Sequence, residues 1–297
     1  DTWQGTATAL WTRGKDMVGA MNLLGVDVAV GHWEFTYKAE EVLENVKALN
    51  AEFLAQNVFV KEDALMNGAE AYDEDSGLAF KPYTIKQLGK ARVAIIGQAF
   101  PYTTIANPQR FIPDWTFGIK DDNMQEIVNK IKAEEKPDAI IVLSHNGFDT
   151  DKKMAEVVTG IDFIMGGHTH DGVPEAVPVK NASGTTYVCN AGSNGKFLNV
   201  LDLDIQNGKI KDFKFTLLPI FSDLIAEDKD MKKYIEDVRL PFLKDLTREI
   251  ATTEQTLFRR GNFNGSWDQI ICDALLEVKE AQISLSPGFR WGTSVMP

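Results

Sequence analysis

Histidine and cysteine are both scarce in this chain: four and two residues, respectively, out of 297. Cys189 and Cys272 are far apart and form no CxxC pair, which excludes a thiolate zinc site and a disulfide framework. They read as two small buried hydrophobes. Long apolar runs are also missing. Nothing approaches the roughly 18 consecutive apolar residues that span a bilayer, so no membrane insertion is expected. Basic residues are outnumbered, 31 Lys and Arg against 43 Asp and Glu, for a net charge of −12. Binding a nucleic-acid backbone needs a basic patch and none is visible, so no nucleic acid is expected as a partner. A small anionic substrate stays open, because a bound divalent metal reverses the local field.

What is present is concentrated. All four histidines fall in three short motifs: Gly31-His32-Trp33-Glu34, Ser144-His145-Asn146-Gly147 and Gly166-Gly167-His168-Thr169-His170. Each follows an apolar run of strand length and has glycine beside it, which lets backbone segments approach closely. Functional residues of layered α/β proteins collect at such strand ends. One buried loop histidine is more often a hydrogen-bonded structural residue than a ligand; four at strand ends point to a metal centre instead. Imidazoles mixed with carboxylates suit Zn, Mn or Fe. Two ions about 3.5–4 Å apart would clamp both the attacking and the leaving atom of a displacement.

Strands are expected at 26–30, 92–96, 139–143 and 161–165, with a helix over 123–133 between the second and third. Thr36 is expected to cap a helix running to Leu49. Strands alternating with helices predict an α/β core. From 185 to 218 the pattern becomes three consecutive antiparallel strands, at 186–188, 197–204 and 210–218, with Asn207-Gly208 as a hairpin turn. A charged helix follows over 228–246. Ser266-Trp267-Asp268-Gln269 reads as a capping box opening a helix through Val278, with a short strand at 283–285 after it. This organisation predicts a catalytic domain over 1–222, a linker helix over 223–250 and a truncated substrate-binding domain over 251–297. The opening Asp1-Thr2-Trp3-Gln4-Gly5 reads as a strand end or the loop after it, so the chain is expected to be an internal piece of a longer protein.

In order, Asp1, Gly31-His32-Trp33-Glu34, His145 and Gly167-His168-Thr169-His170 resemble the calcineurin-like metallophosphoesterases and, within them, the 5′-nucleotidase branch. That family's pattern is D-x-H, G-D, G-N-H-[DE], H and G-H-x-H. The resemblance implies a four-layer α/β/β/α sandwich plus part of a C-terminal 5′-nucleotidase-type domain, with the D-x-H strand upstream of Asp1. It implies metal ligands at Asp1, His32, His145, His168 and His170. Asp1 bridges two ions, His145 and His168 hold one, and His170 the other. Asp1, His32 and His145 are the candidate catalytic residues.

Two departures matter. His32 stands where the family has a metal-binding Asn, and imidazole can do that job. Trp33 stands where the family has the His that protonates the leaving group, and indole supplies no proton. Loss of the acid favours a sulfur leaving group, since a thiol has a pKa near 8.5. With Asp1-Thr2-Trp3-Gln4-Gly5, His145-Asn146-Gly147-Phe148-Asp149 and the segment from Gly261 to Asp268, this resembles the SoxB family of thiosulfohydrolases. That family implies a periplasmic enzyme with two Mn2+ ions, though other divalent metals fit the donors. It releases sulfate from a cysteine-bound thiosulfonate on the SoxYZ carrier protein. A 5′-nucleotidase or cyclic-nucleotide phosphodiesterase is the alternative enzyme, and a non-catalytic binding module the alternative of another class.

Around the ligands, Asp149 is expected to orient a histidine or to be a solvated loop residue. Glu34 orients His32 or caps the following helix. Asn146 binds an anion oxygen or shapes the turn. Arg290, in Ser286-Pro287-Gly288-Phe289-Arg290, is the candidate substrate-binding guanidinium, since its planar fork matches a sulfonate or phosphate.

Overall fold

A computed structural model describes residues 1–259, 264–286 and 294–297. It comprises two compact units, Asp1–Pro241 and Phe242–Pro297. The division falls inside the segment expected as a linker helix. There the helix Lys229–Arg239 gives way at Leu240–Phe242 to a 3-10 turn containing Pro241, which has no amide hydrogen with which to continue the α-helical ladder. Tyr234 ties that helix to the first unit by donating from its hydroxyl to Asp16 O at 2.7 Å.

The strands in chain order are β1 Val28–Ala29, β2 Glu52–Phe53, β3 Phe59–Val60, β4 Tyr83–Leu88, β5 Ala91–Gln98, β6 Trp115–Thr116, β7 Ala139–Ser144, β8 Phe163–Gly166, β9 Val177–Asn181, β10 Gly184–Asn190, β11 Phe197–Gln206 and β12 Lys209–Pro219. Six of them form one mixed sheet in the order β4-β5-β7-β8-β10-β9. Its four central strands run parallel, and the edge strands β4 and β9 are antiparallel to their neighbours. The strand at 177–181 has no counterpart in the sequence reading; it contains Pro178. Its place at the sheet edge is where proline is tolerated.

Alternation decides the two faces of this sheet. Ala94, Ile96, Ile140, Val142, Ile164 and Val188 pack under the helices Asp121–Glu134 and Phe148–Val157, which supply Met124, Ile127, Val128, Ile131, Met154 and Ala155. The β11–β12 hairpin covers the other face, with the Phe213 ring 5.0 Å from Phe163 and 4.5 Å from Tyr187. Its turn uses Asn207 and Gly208 at φ +52° and +73°, the left-handed pair that a tight hairpin requires. The layered α/β class is therefore as expected. The strands outside the six-stranded sheet form only two-stranded ladders among the described residues: β1–β2, β3–β6 and β11–β12.

A second core is aromatic. Phe35, fully buried, is ringed by Phe53, Phe80, Trp115 and Phe117 at centroid distances of 6.3, 6.2, 5.9 and 4.9 Å. This core overrides the expected helix cap. Residues Trp33–Tyr37 form a 3-10 turn that drives Phe35 and Tyr37 inward, and the helix begins only at Ala39. Thr36 instead donates to Asn107 Oδ1 at 3.0 Å.

Three further expectations change. The segment at 186–188 belongs to β10, which pairs parallel with β8 and antiparallel with β9 rather than with the hairpin. The helix Ser266–Val278 forms with Gly265 at its N-cap, but without the side-chain box. Ser266 is drawn away: its Oγ accepts from Phe258 N at 2.9 Å and donates to Thr256 O at 3.1 Å. Ile283 and Leu285 are exposed and form no strand, while Leu257 pairs with Val295 in an isolated bridge. Both cysteines are free, and burial pushes the Cys189 thiol up to about 12, so it is inert.

Candidate metal centre

The parallel strands β5, β7, β8 and β10 end together. Gln98 is in register with Ser144, and Gly166 with Asn190. Just beyond these ends come Phe100, His145 and His168. The end of β1 joins them through Phe100 N–H donating to Gly31 O at 3.1 Å. Gly31 is sterically required there, since a Cβ would lie 2.6 Å from Phe53 Cζ. The Asp1–Trp3 segment closes the group, anchored by Trp3, which is 1% exposed.

Four sequence-expected residues converge. One ligand atom from each of Asp1, His32, His145 and His168 lies within 4.8 Å of all the others. The Asp1 carboxylate spans two imidazoles, with Oδ2 3.1 Å from His145 Nε2 and Oδ1 2.8 Å from His32 Nδ1. The second approach is not aligned as a hydrogen bond, and both ring nitrogens of His32, with Nδ1 of His168, are buried without a hydrogen-bond partner. His170 lies outside the four-residue group, although close enough for its charge to act on His168. His168 and His170 both adopt left-handed backbone, φ +76° and +62°, a local cost seen at sites that over-determine geometry.

The electrostatics keep these imidazoles neutral. Burial, then the neighbouring His145 imidazole, push His32 down to about 2. Burial lowers His145 to about 3. Burial, then His145 and His32, lower His168 to about 3. Neutral imidazoles with free lone pairs beside a carboxylate are what a divalent cation needs. The donor set therefore fits a metal, and its N/O mixture suits Mn, Zn or Fe.

The surrounding residues divide clearly. Glu34, 2% exposed, accepts from the backbone N–H groups of Thr2 at 2.5 Å, Trp3 at 3.2 Å and His32 at 2.7 Å, and lies 3.2 Å from the Asp1 main-chain nitrogen. It clamps the Asp1 loop to the His32 loop through the main chain and caps no helix. Burial pushes its carboxyl up, and the backbone N–H donors around it pull it back down. Asn146 is 4% exposed and its amide is committed inward at both ends, donating to Asp151 Oδ1 at 3.1 Å and accepting from Gln98 Nε2 at 2.8 Å. The Asp149 side chain is 92% exposed and paired with Lys152, so it is the solvated alternative that the structure places there. Arg290 and the segment 261–263 lie outside the described residues.

Sequence reasoning missed Phe100. Its ring lies 4.0 Å from His32 and 4.1 Å from His168, wedged between them. Trp33 stacks on the same His32 ring at 4.5 Å. The signal was positional: Phe100 follows the end of β5 as His145 follows the end of β7.

No known family profile matches the chain. It is 29% identical over 303 residues to a snake venom 5′-nucleotidase of Gloydius brevicauda, covering 93% of this chain and 48% of that protein. The chain spans about half the length of the first curated relatives it matches. Among solved structures, the sulfate thiohydrolase SoxB of Thermus thermophilus, in complex with glycerol, superposes with a TM-score of 0.86 at 30% identity, covering 100% of this chain and 52% of that one. A calcineurin-like phosphoesterase, YfkN of Bacillus subtilis, shares the fold at a TM-score of 0.68, 20% identity and 83% coverage of each chain. The sequence and structure likenesses point to the same set of proteins, 5′-nucleotidases and SoxB-like metallophosphoesterases.

Proposed function

We propose that this chain carries the metal centre of a hydrolase that releases sulfate from a cysteine S-thiosulfonate on a SoxYZ-type carrier protein, in the periplasm and with two Mn2+ ions. The observation that carries the reading is Trp33. At the position where a phosphoesterase of this pattern has its proton donor, an indole stacks on His32, the two rings inclined by 28°. An indole N–H donates hydrogen bonds but is no acid at neutral pH. Expelling an alkoxide without an acid is slow, whereas the carrier's cysteine persulfide, a better leaving group than the thiolate of a thiol of pKa near 8.5, leaves as its anion unaided. Divalent ions, when bound, act as Lewis acids on the oxygens of an anionic substrate. Asp1, His32, His145 and His168 are the residues that would hold them, with His170 beside the group. Phe100 and Trp33 fix the His32 ring and form an apolar wall against it. The likeness to a sulfate thiohydrolase supports the same direction. Among the described residues no helix is long and apolar enough to cross a membrane.

A second reading, 5′-nucleotidase, is favoured by the curated sequence relatives of that name. It requires a proton donor other than residue 33. One experiment separates the two. The Mn2+-loaded full-length gene product is offered a carrier peptide bearing a cysteine thiosulfonate and, separately, a nucleoside monophosphate. Sulfate release without phosphate release is the expected result. Phosphate release alone would overturn the proposal and make this a nucleotidase with a different acid.

A further inference from the structure

We propose that Asp151 is a positioning residue for the metal centre, a single buried carboxyl that fixes both strand-end loops presenting His145 and His168. The inference rests on the metal-centre reading above and is independent of the substrate.

Asp151 lies in the first turn of the helix Phe148–Val157 and is fully buried. No cation pairs with it among the described residues, and a carboxyl buried without one is costly to keep. Its partners are what make the position informative. Oδ1 accepts from Ser144 Oγ at 2.6 Å and from Asn146 Nδ2 at 3.1 Å. These are the two residues flanking His145, so one oxygen atom grips both neighbours of a candidate ligand. The His145 main chain is pinned separately, its N–H donating to Gln98 O at 2.9 Å. Gln98 also donates from Nε2 to Asn146 Oδ1, closing the frame around the histidine.

The other oxygen reaches the second loop. Asp151 Oδ2 has no hydrogen-bond partner, and it lies against Gly166, where a Cβ would be only 2.6 Å away. Gly166 ends β8 two residues before His168. The His145 and His168 rings are 5.3 Å apart, centroid to centroid. The carboxyl thus sets where β7 and β8 release their histidines relative to one another, without touching either ring. A purely structural carboxyl in a helix first turn would affect stability alone; a positioning residue also affects how well the imidazoles share an ion.

The test uses Mn2+ affinity, measured by competition with a chelator, and the visible absorption of the Co2+ form, both without substrate. Asp151→Asn keeps an acceptor oxygen for Ser144 and Asn146 and should bind within about threefold of the parent, whereas Asp151→Ala should bind about 10–100-fold more weakly and shift the Co2+ bands. Asp151→Ala with parental affinity and spectrum, whatever its thermal stability, would overturn the inference. If Asp151→Ala does not fold, Ser144→Ala removes one of the two grips. It should weaken binding in the same direction by a smaller factor, and parental affinity there overturns the inference equally. A parent protein that binds neither ion overturns the metal-centre reading and this inference together. A failed sulfate assay with intact Asp151 effects overturns only the choice of substrate.

Discussion

His32 and His145 are 5.1 Å apart, ring to ring, yet they are held by opposite means. His32 lies between Trp33 and Phe100, with no hydrogen-bond partner on either ring nitrogen. Its backbone is fixed by the Glu34 carboxylate. The His145 loop is framed by a buried polar network, from Asp151 through Ser144 and Asn146 to Gln98, which continues to Gln56 and Asn123. Aromatic packing is tolerant of direction but keeps water out. A polar network is directional, and it punishes any member left unsatisfied. The candidate centre therefore combines a side whose histidine is placed by shape with a side whose histidine is placed by hydrogen bonds.

The strongest way to break the aromatic side is at its polar clamp. Glu34→Ala leaves the N–H groups of Thr2, Trp3 and His32 without their acceptor in the interior, and should cost about 3–5 kcal/mol. Urea unfolding of the metal-free protein measures it. A loss below about 1 kcal/mol would mean that packing alone holds the Asp1 loop.

Phe100→Ala tests the wedge itself. Truncating a buried phenylalanine costs about 3 kcal/mol or more. Phe100 contacts His168 as well as His32, so metal affinity should fall along with stability. An unfolding loss with unchanged affinity would show that the ring fills space without placing the imidazoles.

Acidification sharpens the comparison next. His32, His145 and His168 are all lowered from the ordinary histidine value of 6.5, burial being the first cause in each case. Unfolded histidines bind protons below about pH 6.5, and the folded ones resist until about pH 3. The stability linked to them is therefore complete above pH 6.5 and lost as pH falls towards 3. Urea midpoints of the metal-free protein should fall from pH 7 to pH 5, and a His32→Asn variant should fall less. Equal slopes would place His32 in contact with solvent protons.

The two sides also differ in how legible they were. The three histidines that converge with Asp1 read directly from sequence, because histidine is rare here and each falls in a short glycine-containing motif after an apolar run, whereas His170, expected with them, lies outside the group. The strands at 92–96, 139–143 and 161–165 and the helix at 123–133 read from periodicity, since local pattern and tertiary burial agree there. Phe100 did not, because a phenylalanine after a strand looks the same whether it fills a core or wedges between ligands. Thr36 and Ser266 carry strong capping signals that tertiary demands overrode, burial of Phe35 in one case and anchoring of residues 256–258 in the other. The inward commitment of Asn146 depends on Gln98 and Asp151, which are distant or unremarkable in sequence. Polar networks assembled from separate elements leave no periodic trace, so the hydrogen-bonded side of the centre was the less readable half.

The smallest effect belongs to Asp149, two residues from Asp151 in the same helical turn and opposite to it in burial and pairing. The Asp149 side chain is 92% exposed and pairs with Lys152 Nζ at 2.8 Å. An exposed pair of this kind contributes about 0.2–1 kcal/mol, screened further by salt. Its place in the first helical turn adds a few tenths of a kcal/mol through the helix dipole. Asp149→Ala should therefore shift stability by about 0.5 kcal/mol or less and leave Mn2+ affinity unchanged. If Asp149→Ala weakened metal binding as Asp151→Ala is expected to, the burial of Asp151 would not be what positions the ligands. The whole first turn of that helix would then act on the centre through its charge.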